Sequence, residues 1–246
     1  MIERIERIVI LPDIHLTIKI PKPYQLAKKF IKDYKPTEII LLGDFMEVGS
    51  LSGYDLSKKR KIEGKRFEKE IEIASGELDC LQKLCKRITY LEGNHEDRVE
   101  RYLDDHPELE GILELPKRLN LAQRGIKWVK LNKLIKRGKL YLTHGVYYGK
   151  YYAKKTVDEY GCSIVIAHTH RHQIHTIYPK MQKYPMICTG LGCLGDTEPA
   201  YWKNAPKGHL NQFAVVEIGQ KGYFNLYPIN IIGNSFRYGG KEWSLK

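Results

Sequence analysis

The first 44 residues follow the order strand, helix, strand, and this order constrains the fold more than any other feature of the sequence. The aliphatic run "RIVIL" stops at Pro12, as expected for a short buried strand. In "PYQLAKKFIKDY" the spacing of Leu26, Phe30 and Ile31 predicts an amphipathic helix that ends before Pro36. "TEIILLGD" then predicts a second buried strand. Two strands joined by a helix form a βαβ unit, so we expect a parallel sheet covered by helices.

The rest of the chain changes from helical to strand-rich patterns. A helical pattern runs over 58–86, "ITYLEGN" predicts a third strand, and 97–124 predicts two or three short helices. Seven strand patterns follow, interrupted by one helix at about 150–160: "IKWVKL", "KLYLTHG", "SIVIAHTH", "HQIHTIY", "YPMICTG", "NQFAVVEI" and "GYFNLYPI". We therefore predict a single α/β domain over 1–246, with 58–86 as a helical insert.

The charge of the chain indicates an anionic partner. The formal net charge is +12, and basic residues concentrate in 58–70 and 127–139. Such a surplus favours nucleic acid first and an acidic membrane surface second. A lysine-rich surface in contact only with water explains the same composition, so charge alone identifies no substrate.

The cysteines and the hydropathy pattern indicate an intracellular protein. The five cysteines are odd in number and do not have the spacing of a zinc site, so we expect reduced thiols. No apolar run approaches the roughly 18 residues that cross a bilayer, and the first residues do not follow a signal-peptide pattern. We expect a cytoplasmic protein without membrane insertion, and the sequence leaves its oligomeric state open.

Polar side chains of similar chemistry follow five of the predicted strands. In chain order they are Asp13 and His15, then Asp44 and Glu47, then Asn94, His95, Glu96 and Arg98, then His144, and finally His168 and His170. In open α/β sheets the loops beyond the carboxyl ends of the strands line the ligand crevice. We therefore expect these distant residues to converge in space.

Seven of these side chains form a set of metal ligands. Asp13, His15, Asp44, Asn94, His144, His168 and His170 offer two carboxylates, one amide oxygen and four imidazoles. Mixed oxygen and nitrogen ligands suit Mn²⁺, Fe²⁺, Co²⁺, Ni²⁺ or Zn²⁺ better than Ca²⁺. Seven ligands are too many for one tetrahedral ion but suit two ions that share a carboxylate. Two ions about 3.5–4 Å apart are an arrangement that hydrolyses phosphate esters.

The order of the motifs adds a resemblance to a family. D-x-H at 13–15, G-D-x-x-E at 43–47, G-N-H-E at 93–96, T-H-G at 143–145 and H-x-H at 168–170 resemble the calcineurin-like metallophosphoesterase superfamily. The resemblance implies a four-layer α/β/β/α sandwich with central mixed sheets flanked by helices. It also implies two divalent metal ions, Mn²⁺ first and Fe, Zn, Co or Ni as alternatives. The implied reaction is hydrolysis of a phosphate ester by a hydroxide that bridges the metals.

The same resemblance assigns a role to each residue. Asp13, His15 and His170 would hold one metal, Asn94, His144 and His168 the other, and Asp44 would bridge both. His95 would act on the substrate, as a phosphate-stabilising group or general acid, and a carboxylate would orient it. Glu47 stands where the family has an aspartate, and Glu96 is the rival orienting group. Arg98 and Arg171 lie beside ligand loops and are candidates for binding the phosphate.

Each candidate also has an ordinary structural interpretation. Aspartates after strands often serve as caps or turn residues, and an exposed arginine is usually only solvated. Four further histidines lack motif support: we treat His172 as a candidate for the pocket rim and His106, His175 and His209 as structural. The aromatic run "YYGKYY" at 147–152, with Tyr201 and Trp202, would either stack on bases or pack a helix on the sheet.

The substrate is less constrained than the reaction. Val48 and Glu47 occupy the positions of an arginine and an aspartate in serine/threonine protein phosphatases, which argues against that branch. Positive charge favours a nucleic-acid or nucleotide phosphodiester. A phosphomonoester, either a small molecule or a phosphoprotein, is the alternative. A nucleic-acid-binding module with a structural metal site is a third interpretation, but it would require the loss of a ligand or of His95.

Overall fold

The structure is a computed structural model that describes residues 5–53, 60, 63–195 and 208–245. Its strands are β1 (Glu6–Leu11), β2 (Glu38–Leu42), β3 (Ile88–Leu91), β4 (Lys127–Val129), β5 (Ile135–Arg137), β6 (Leu140–Leu142), β7 (Ile164–Ile166), β8 (Gln173–Ile177), β9 (Met186–Gly190), β10 (Gln212–Ile218), β11 (Phe224–Asn230), β12 (Ser235–Tyr238) and β13 (Lys241–Ser244). Its helices are α1 (Lys22–Tyr34), α2 (Phe67–Leu84), α3 (Arg98–Asp105), α4 (Leu115–Arg118) and α5 (Tyr152–Tyr160), with short 3-10 turns at Gly49–Leu51 and Pro107–Leu109.

The strands form two mixed sheets and a hairpin. The first sheet has the order β11-β10-β1-β2-β3-β4, in which β1 to β4 are parallel and β10 and β11 are antiparallel additions. The second has the order β5-β6-β7-β9-β8, in which β6, β7 and β9 are parallel and the outer strands antiparallel. β12 and β13 form a two-stranded antiparallel hairpin. The carboxyl ends of the parallel strands in each sheet therefore lie at one edge of that sheet.

Side chains alternate between two cores along the first sheet. Val9 and Leu11 of β1 belong to the core shared with α1 and α2, whereas Ile8 and Ile10 belong to the core between the sheets. A third core joins α5 to the outer face of the second sheet. Strands covered on both faces explain the continuous aliphatic runs in the sequence. The predicted four-layer sandwich of helices, two mixed sheets and helices is confirmed.

The helices follow the sequence signals with one correction. α1 has Pro23 in its first turn and is capped at its C-terminus by Lys35, which adopts a left-handed backbone with φ 53°. The prediction of a helix over 58–86 is wrong for residues 63–66, where the chain turns at Gly64 (φ 77°). Helix α2 begins at Phe67. Residues 54–59 and 61–62 of that predicted insert lie outside the described residues. Within the described ranges, no helix is both long and apolar enough to cross a bilayer.

A buried ion pair connects the two sheets at the amino end of β2. Arg137 of β5 donates from Nε to Oε2 of Glu38 at 2.7 Å and from a terminal nitrogen to Oε1 at 2.6 Å. The Thr89 hydroxyl donates to the same carboxylate at 2.7 Å, and a guanidinium nitrogen of Arg87 lies 3.2 Å from it. The Glu38 side chain is fully buried, so these donors replace the water that it loses.

Candidate metal centre

The loops after β1 and β2 run side by side and bring their polar side chains together. The amide of Asp13 donates to the carbonyl of Gly43 at 3.2 Å, and the amide of His15 donates to that of Asp44 at 2.9 Å. The parallel pairing of the strands thus continues into the loops, as far as a bridge between Leu16 and Met46. Asp13, His15 and Asp44 therefore share one side of the carboxyl edge.

Left-handed backbone turns aim the candidate ligands into the cleft. Five of the seven predicted ligands have positive φ: Asp13 (41°), His15 (49°), Asp44 (49°), His168 (72°) and His170 (57°). A non-glycine residue in this region costs of the order of 1–3 kcal/mol and persists only where the surrounding structure enforces it. Such residues cluster at functional sites, and their concentration at this edge makes it the candidate site of the protein.

Two glycines leave the space in which the ligands meet. A Cβ atom on Gly43, whose φ is 89°, would overlap the imidazole of His144, and one on Gly93 would overlap the carboxylate of Asp44. The close approach of backbone to these side chains requires glycine at both positions.

The first ligand cluster contains Asp13, His15, Asp44 and His170. One ligand atom from each lies within 4.8 Å of the others. The Nε2 atoms of His15 and His170 are 3.0 Å apart, and Oδ1 of Asp13 lies 3.6 Å from Nε2 of His170. The carboxylate of Asp13 also accepts the amide of His168 at 3.1 Å, which fixes it against the loop after β7.

The second ligand cluster contains Asp44, Asn94, His144 and His168. Oδ1 of Asn94 lies 3.0 Å from Nε2 of His144 and 2.7 Å from Nδ1 of His168. Oδ2 of Asp44 lies 3.5 Å from Nε2 of His144 and 3.8 Å from Nε2 of His15. Asp44 therefore belongs to both clusters, and each cluster takes side chains from both sheets.

The tautomers of the imidazoles fit metal ligation. Nδ1 of His144 lies 2.9 Å from the carbonyl of Leu42, which only accepts, so Nδ1 carries a proton and Nε2 is the atom that would offer a lone pair once a metal displaces its proton. Nδ1 of His15 lies 3.0 Å from Oε2 of Glu47 and leaves Nε2 of His15 facing the cluster in the same way. A second hydrogen bond that orients the ring is the usual support of a metal-binding histidine. The residues present therefore fit a divalent metal.

His95, Glu47 and Arg98 form a group beside the first cluster. Nδ1 of His95 lies 3.0 Å from the Glu47 carbonyl and 3.3 Å from its carboxylate. Arg98 donates to the Glu47 carbonyl at 2.6 Å, and a second guanidinium nitrogen lies 3.2 Å from Nε2 of His95. Glu47 thus contacts both His15 and His95. Arg98 holds this group in place, a function that the sequence did not suggest.

Glu96 does not orient His95. Its carboxylate is fully buried and accepts the amides of Asp44, Met46 and Gly93 at 2.8–2.9 Å and the hydroxyl of Tyr90 at 2.8 Å. Glu96 therefore fixes the backbone of the loop that carries Asp44. Burial, followed by the nearby Asp44 carboxylate, raises the pKa of Glu96. The alternative prediction that Glu96 orients His95 is therefore wrong. The carboxylate that contacts His95 is that of Glu47.

Opposing shifts of pKa show how charge is distributed in the site. Burial disfavours the charged form of Asp44, but His95 and His144 outweigh it and hold the pKa of Asp44 well below its usual range. Burial also disfavours the charged form of His144, yet the Asp44 carboxylate raises its pKa to about 10. The same carboxylate would stabilise a metal cation at Nε2 of His144. For His15 and His168 burial dominates and lowers the pKa, which favours neutral imidazoles with free lone pairs.

The remaining candidates lie around the cleft. Arg171 donates to the carbonyl of Tyr148 at 2.7 Å and lies 5.6 Å from the ring centroid of Tyr152, so its guanidinium points to the aromatic loop. Nδ1 of His172 contacts the carbonyl of Gly190 at 3.1 Å. The ring of His209 lies 4.9 Å from that of His170, a proximity that no local sequence signal indicated. Tyr201 and Trp202 lie outside the described residues.

Glu92, which follows β3, is expected to make stability depend on pH. Burial raises its pKa from 4.5 to about 7. Its stabilising contribution is therefore complete below pH 4.5 and is lost as the pH rises through 7, since the folded state holds the proton more tightly. The glutamine in Glu92→Gln does not titrate, so this variant should lack the loss of stability that Glu92 causes. Between pH 5 and 8 the free energy of unfolding of the wild type should fall by about 1–3 kcal/mol more than that of the variant.

Urea unfolding in the presence of EDTA measures this difference without a contribution from metals. Glu110→Gln, at an exposed position, is the matched control and should follow the wild type. Parallel pH profiles for Glu92→Gln and the wild type would contradict the assignment.

The four-layer fold and the carboxylate and imidazole clusters at its edge define a metallophosphoesterase class of protein. A family model described as calcineurin-like phosphoesterase matches residues 6–178. The chain belongs to the calcineurin-like phosphoesterase family.

Individual relatives are distant. The Gene 54 protein of Mycobacterium phage L5 is 25% identical over an alignment 264 residues long, which covers 98% of this chain and 99% of that protein. Among solved structures, Vps29 of Entamoeba histolytica complexed with Zn²⁺ matches with a TM-score of 0.50 and 12% identity, over 94% of this chain and 96% of that one. Vps29 of Chaetomium thermophilum matches with a TM-score of 0.50 and 11% identity, over 96% of each chain. The structural likeness concerns the fold alone.

Proposed function

We propose that the protein is a phosphoesterase that depends on two divalent metal ions. The observation that carries this proposal is the position of Asp44, whose Oδ2 lies 3.5 Å from His144 and 3.8 Å from His15, between the two ligand clusters. One ion would be held by Asp13, His15 and His170, the other by Asn94, His144 and His168, and both by Asp44. When bound, the ions supply Lewis acidity towards the phosphoryl oxygens and an activated water as nucleophile.

The native metal is proposed from the donor set. Carboxylate, amide and imidazole ligands without a thiolate favour Mn²⁺ first and leave Fe, Zn, Co and Ni as alternatives. The Zn²⁺ complex of Vps29, a protein of similar fold, makes zinc worth testing.

His95 is proposed as the group that acts on the leaving oxygen. Burial would lower its pKa, but the carboxylates of Asp44 and Glu47 outweigh burial and raise it, so the ring keeps a proton to donate. Glu47 and Arg98 hold the ring on either side. In the structure Arg98 donates to Nε2 of His95 at 3.2 Å, so Nε2 would carry the donated proton only after Arg98 turns to the phosphate of a bound substrate.

A nucleic-acid or nucleotide phosphodiester is the favoured substrate. The net charge of +12 supports this choice, because a basic surface attracts a polyphosphate backbone. Cys80, Cys85, Cys162 and Cys188, all in the described part of the chain, are free thiols, which supports a reducing compartment such as the cytoplasm. A phosphomonoester remains the alternative substrate.

The direct test is a panel of phosphate esters. The purified protein, stripped with EDTA and reloaded with Mn²⁺, Zn²⁺, Fe²⁺, Co²⁺ or Ni²⁺, is assayed on p-nitrophenyl phosphate, bis(p-nitrophenyl) phosphate and a single-stranded oligonucleotide. We expect hydrolysis of the diester and the oligonucleotide. Preferential cleavage of the monoester would favour the alternative substrate. Two equivalents of bound metal without hydrolysis of any ester would refute the enzymatic function.

Glu47→Gln is expected to lower kcat by about 10–100-fold, the usual effect of removing a carboxylate that orients a functional histidine. The pH profile should also change, because the charge that raises the pKa of His95 is lost. Glu108→Gln, an exposed position far along the chain, serves as the matched control. An unchanged kcat and pH profile at full metal occupancy would show that Glu47 has no role in orienting His95.

A further inference from the structure

The loop between β6 and α5 places two exposed tyrosines beside the candidate metal centre. Of the four tyrosines in "YYGKYY", Tyr147 and Tyr152 pack in the core between α5 and the second sheet. Tyr148 and Tyr151 face solvent, with 75% and 64% of their surface exposed. The run therefore serves both purposes that its sequence left open, since one pair of rings packs the helix and the other pair is available to a ligand.

The exposed rings line a cleft that can hold a planar group. The cleft has a volume of about 320 Å³ and is lined by Tyr148, Gly149, Tyr151 and Lys155 together with the edges of the packed tyrosines. Ligand pockets typically measure about 300–1,000 Å³, so this one suits a group of the size of a nucleobase. A Cβ atom on Gly149 would have no neighbour within 4 Å, so the cleft is open at this lining residue.

The loop is fixed relative to the metal ligands. Arg171 donates to the Tyr148 carbonyl at 2.7 Å, and the side-chain Nε2 of Gln173 donates to the Lys150 carbonyl at 3.0 Å. The hydroxyl of Tyr152 donates to the carbonyl of Arg171. Arg171 directly follows His170, so the segment that carries two candidate ligands also anchors the aromatic loop. An anchored aromatic surface loses little entropy when a ring stacks on it.

The cleft adjoins the second ligand cluster and is positively charged. The ring centroid of Tyr148 lies 6.5 Å from that of His168. The ammonium groups of Lys155 and Lys150 lie 4.4 Å and 5.3 Å from the ring centroids of Tyr147 and Tyr151. Aromatic faces interleaved with cations are the combination that binds single-stranded nucleic acid, since bases stack and phosphates are attracted.

We propose that this cleft is a nucleobase subsite: the base next to the scissile phosphate stacks on Tyr148 and Tyr151 while the phosphate lies at the metal centre. Lys150, Lys155 and Arg171 attract the phosphate that follows along the strand. This proposal rests on the proposed phosphodiesterase function and makes it specific for nucleotide-containing diesters.

The test compares substrates that differ only in a base. Thymidylyl-thymidine and two analogues, each with one base replaced by an abasic tetrahydrofuran, are assayed with wild type, Tyr148→Ala, Tyr148→Phe and Tyr151→Ala. Tyr178→Ala is the matched control, because Tyr178 is 78% exposed but lies at the end of β8, outside the cleft. For one abasic analogue, wild-type kcat/KM should fall by about 5- to 100-fold relative to the full dinucleotide.

In Tyr148→Ala and Tyr151→Ala that difference should shrink, whereas Tyr148→Phe, which keeps the ring face, and Tyr178→Ala should preserve it. Equal kcat/KM for all three substrates in the wild type would overturn the subsite while leaving the phosphodiesterase function intact. Binding of fluorescein-labelled oligothymidine and its abasic counterpart, measured by anisotropy in EDTA, gives a reading independent of turnover. Base-dependent binding lost in Tyr148→Ala would support the subsite even if no ester were hydrolysed, and base-independent binding would overturn it.

Discussion

Asp44→Asn is expected to lower kcat/KM for every phosphate ester at least about 10³-fold while the chain stays folded. The carboxylate is the one side chain shared by both ligand clusters. An amide has the same shape but lacks the negative charge that would hold two dications together. Each tenfold change in rate corresponds to about 1.4 kcal/mol of activation free energy. A factor of about 10³ therefore corresponds to the loss of about 4 kcal/mol of transition-state stabilisation by the metal ions.

The fold should tolerate this change. Oδ1 of Asp44 accepts the amide of His95 at 2.9 Å, and an asparagine oxygen can accept the same bond. Elemental analysis should show fewer than two metal equivalents per chain, and circular dichroism should show an unchanged fold. Asp105→Asn makes the same substitution at an exposed position and should leave both activity and metal content unchanged. Wild-type turnover in folded Asp44→Asn would exclude a shared carboxylate.

Arg137→Leu is expected to lower the free energy of unfolding by about 3–5 kcal/mol. Glu38 is fully buried, and Arg137 supplies the two-pronged contact to its carboxylate. Removal of Arg137 leaves a buried charge without its main partner, which is the costly case for an ion pair. Replacing both partners, in Glu38→Leu with Arg137→Leu, should recover much of the loss because no unpaired charge remains.

Urea unfolding of these variants separates the buried pair from ordinary surface ion pairs. Arg87 also contacts Glu38, but 51% of its side chain is exposed. Arg87→Leu should therefore cost no more than about 1 kcal/mol. An equal loss in Arg87→Leu and Arg137→Leu would show that burial does not distinguish the two arginines.

The fold was largely predictable because its strongest elements have strong local patterns. β1, α1 and β2 combine clear aliphatic runs with proline boundaries, and the four-layer arrangement followed from the resemblance. β5 was missed, since three residues with only Ile135 buried carry little pattern, and tertiary contact through Arg137 holds the strand in place. The sequence signal for the β12–β13 hairpin is the pair Gly239 and Gly240, which both have positive φ, as a tight hairpin turn requires.

The site was predictable where motifs follow strands and unpredictable where a tertiary contact decides. The structure brings together the seven proposed ligands because the strands that precede them end at neighbouring edges, a consequence of topology. The positions of Glu96 and Arg98 depend on side-chain direction within a single turn, which sequence spacing does not determine. His209 reaches His170 from a distant segment without any motif. The roles of the seven proposed ligands in metal binding, and of His95 and Glu47 in catalysis, stay predictions until metal content and activity are measured.

Because each ligand cluster draws on both sheets, metal ions held there would fasten the two layers to each other like a clasp. The Glu38–Arg137 pair does the same at the opposite end of the sandwich. At a metal concentration about 100 times the dissociation constant, each bound ion adds roughly 2.7 kcal/mol to the stability of the folded state. Chelation would leave the Glu38–Arg137 pair and the aliphatic core between the sheets to join the two layers, so the cleft should open before that core unfolds. Catalysis and mechanical integrity would then depend on the same atoms.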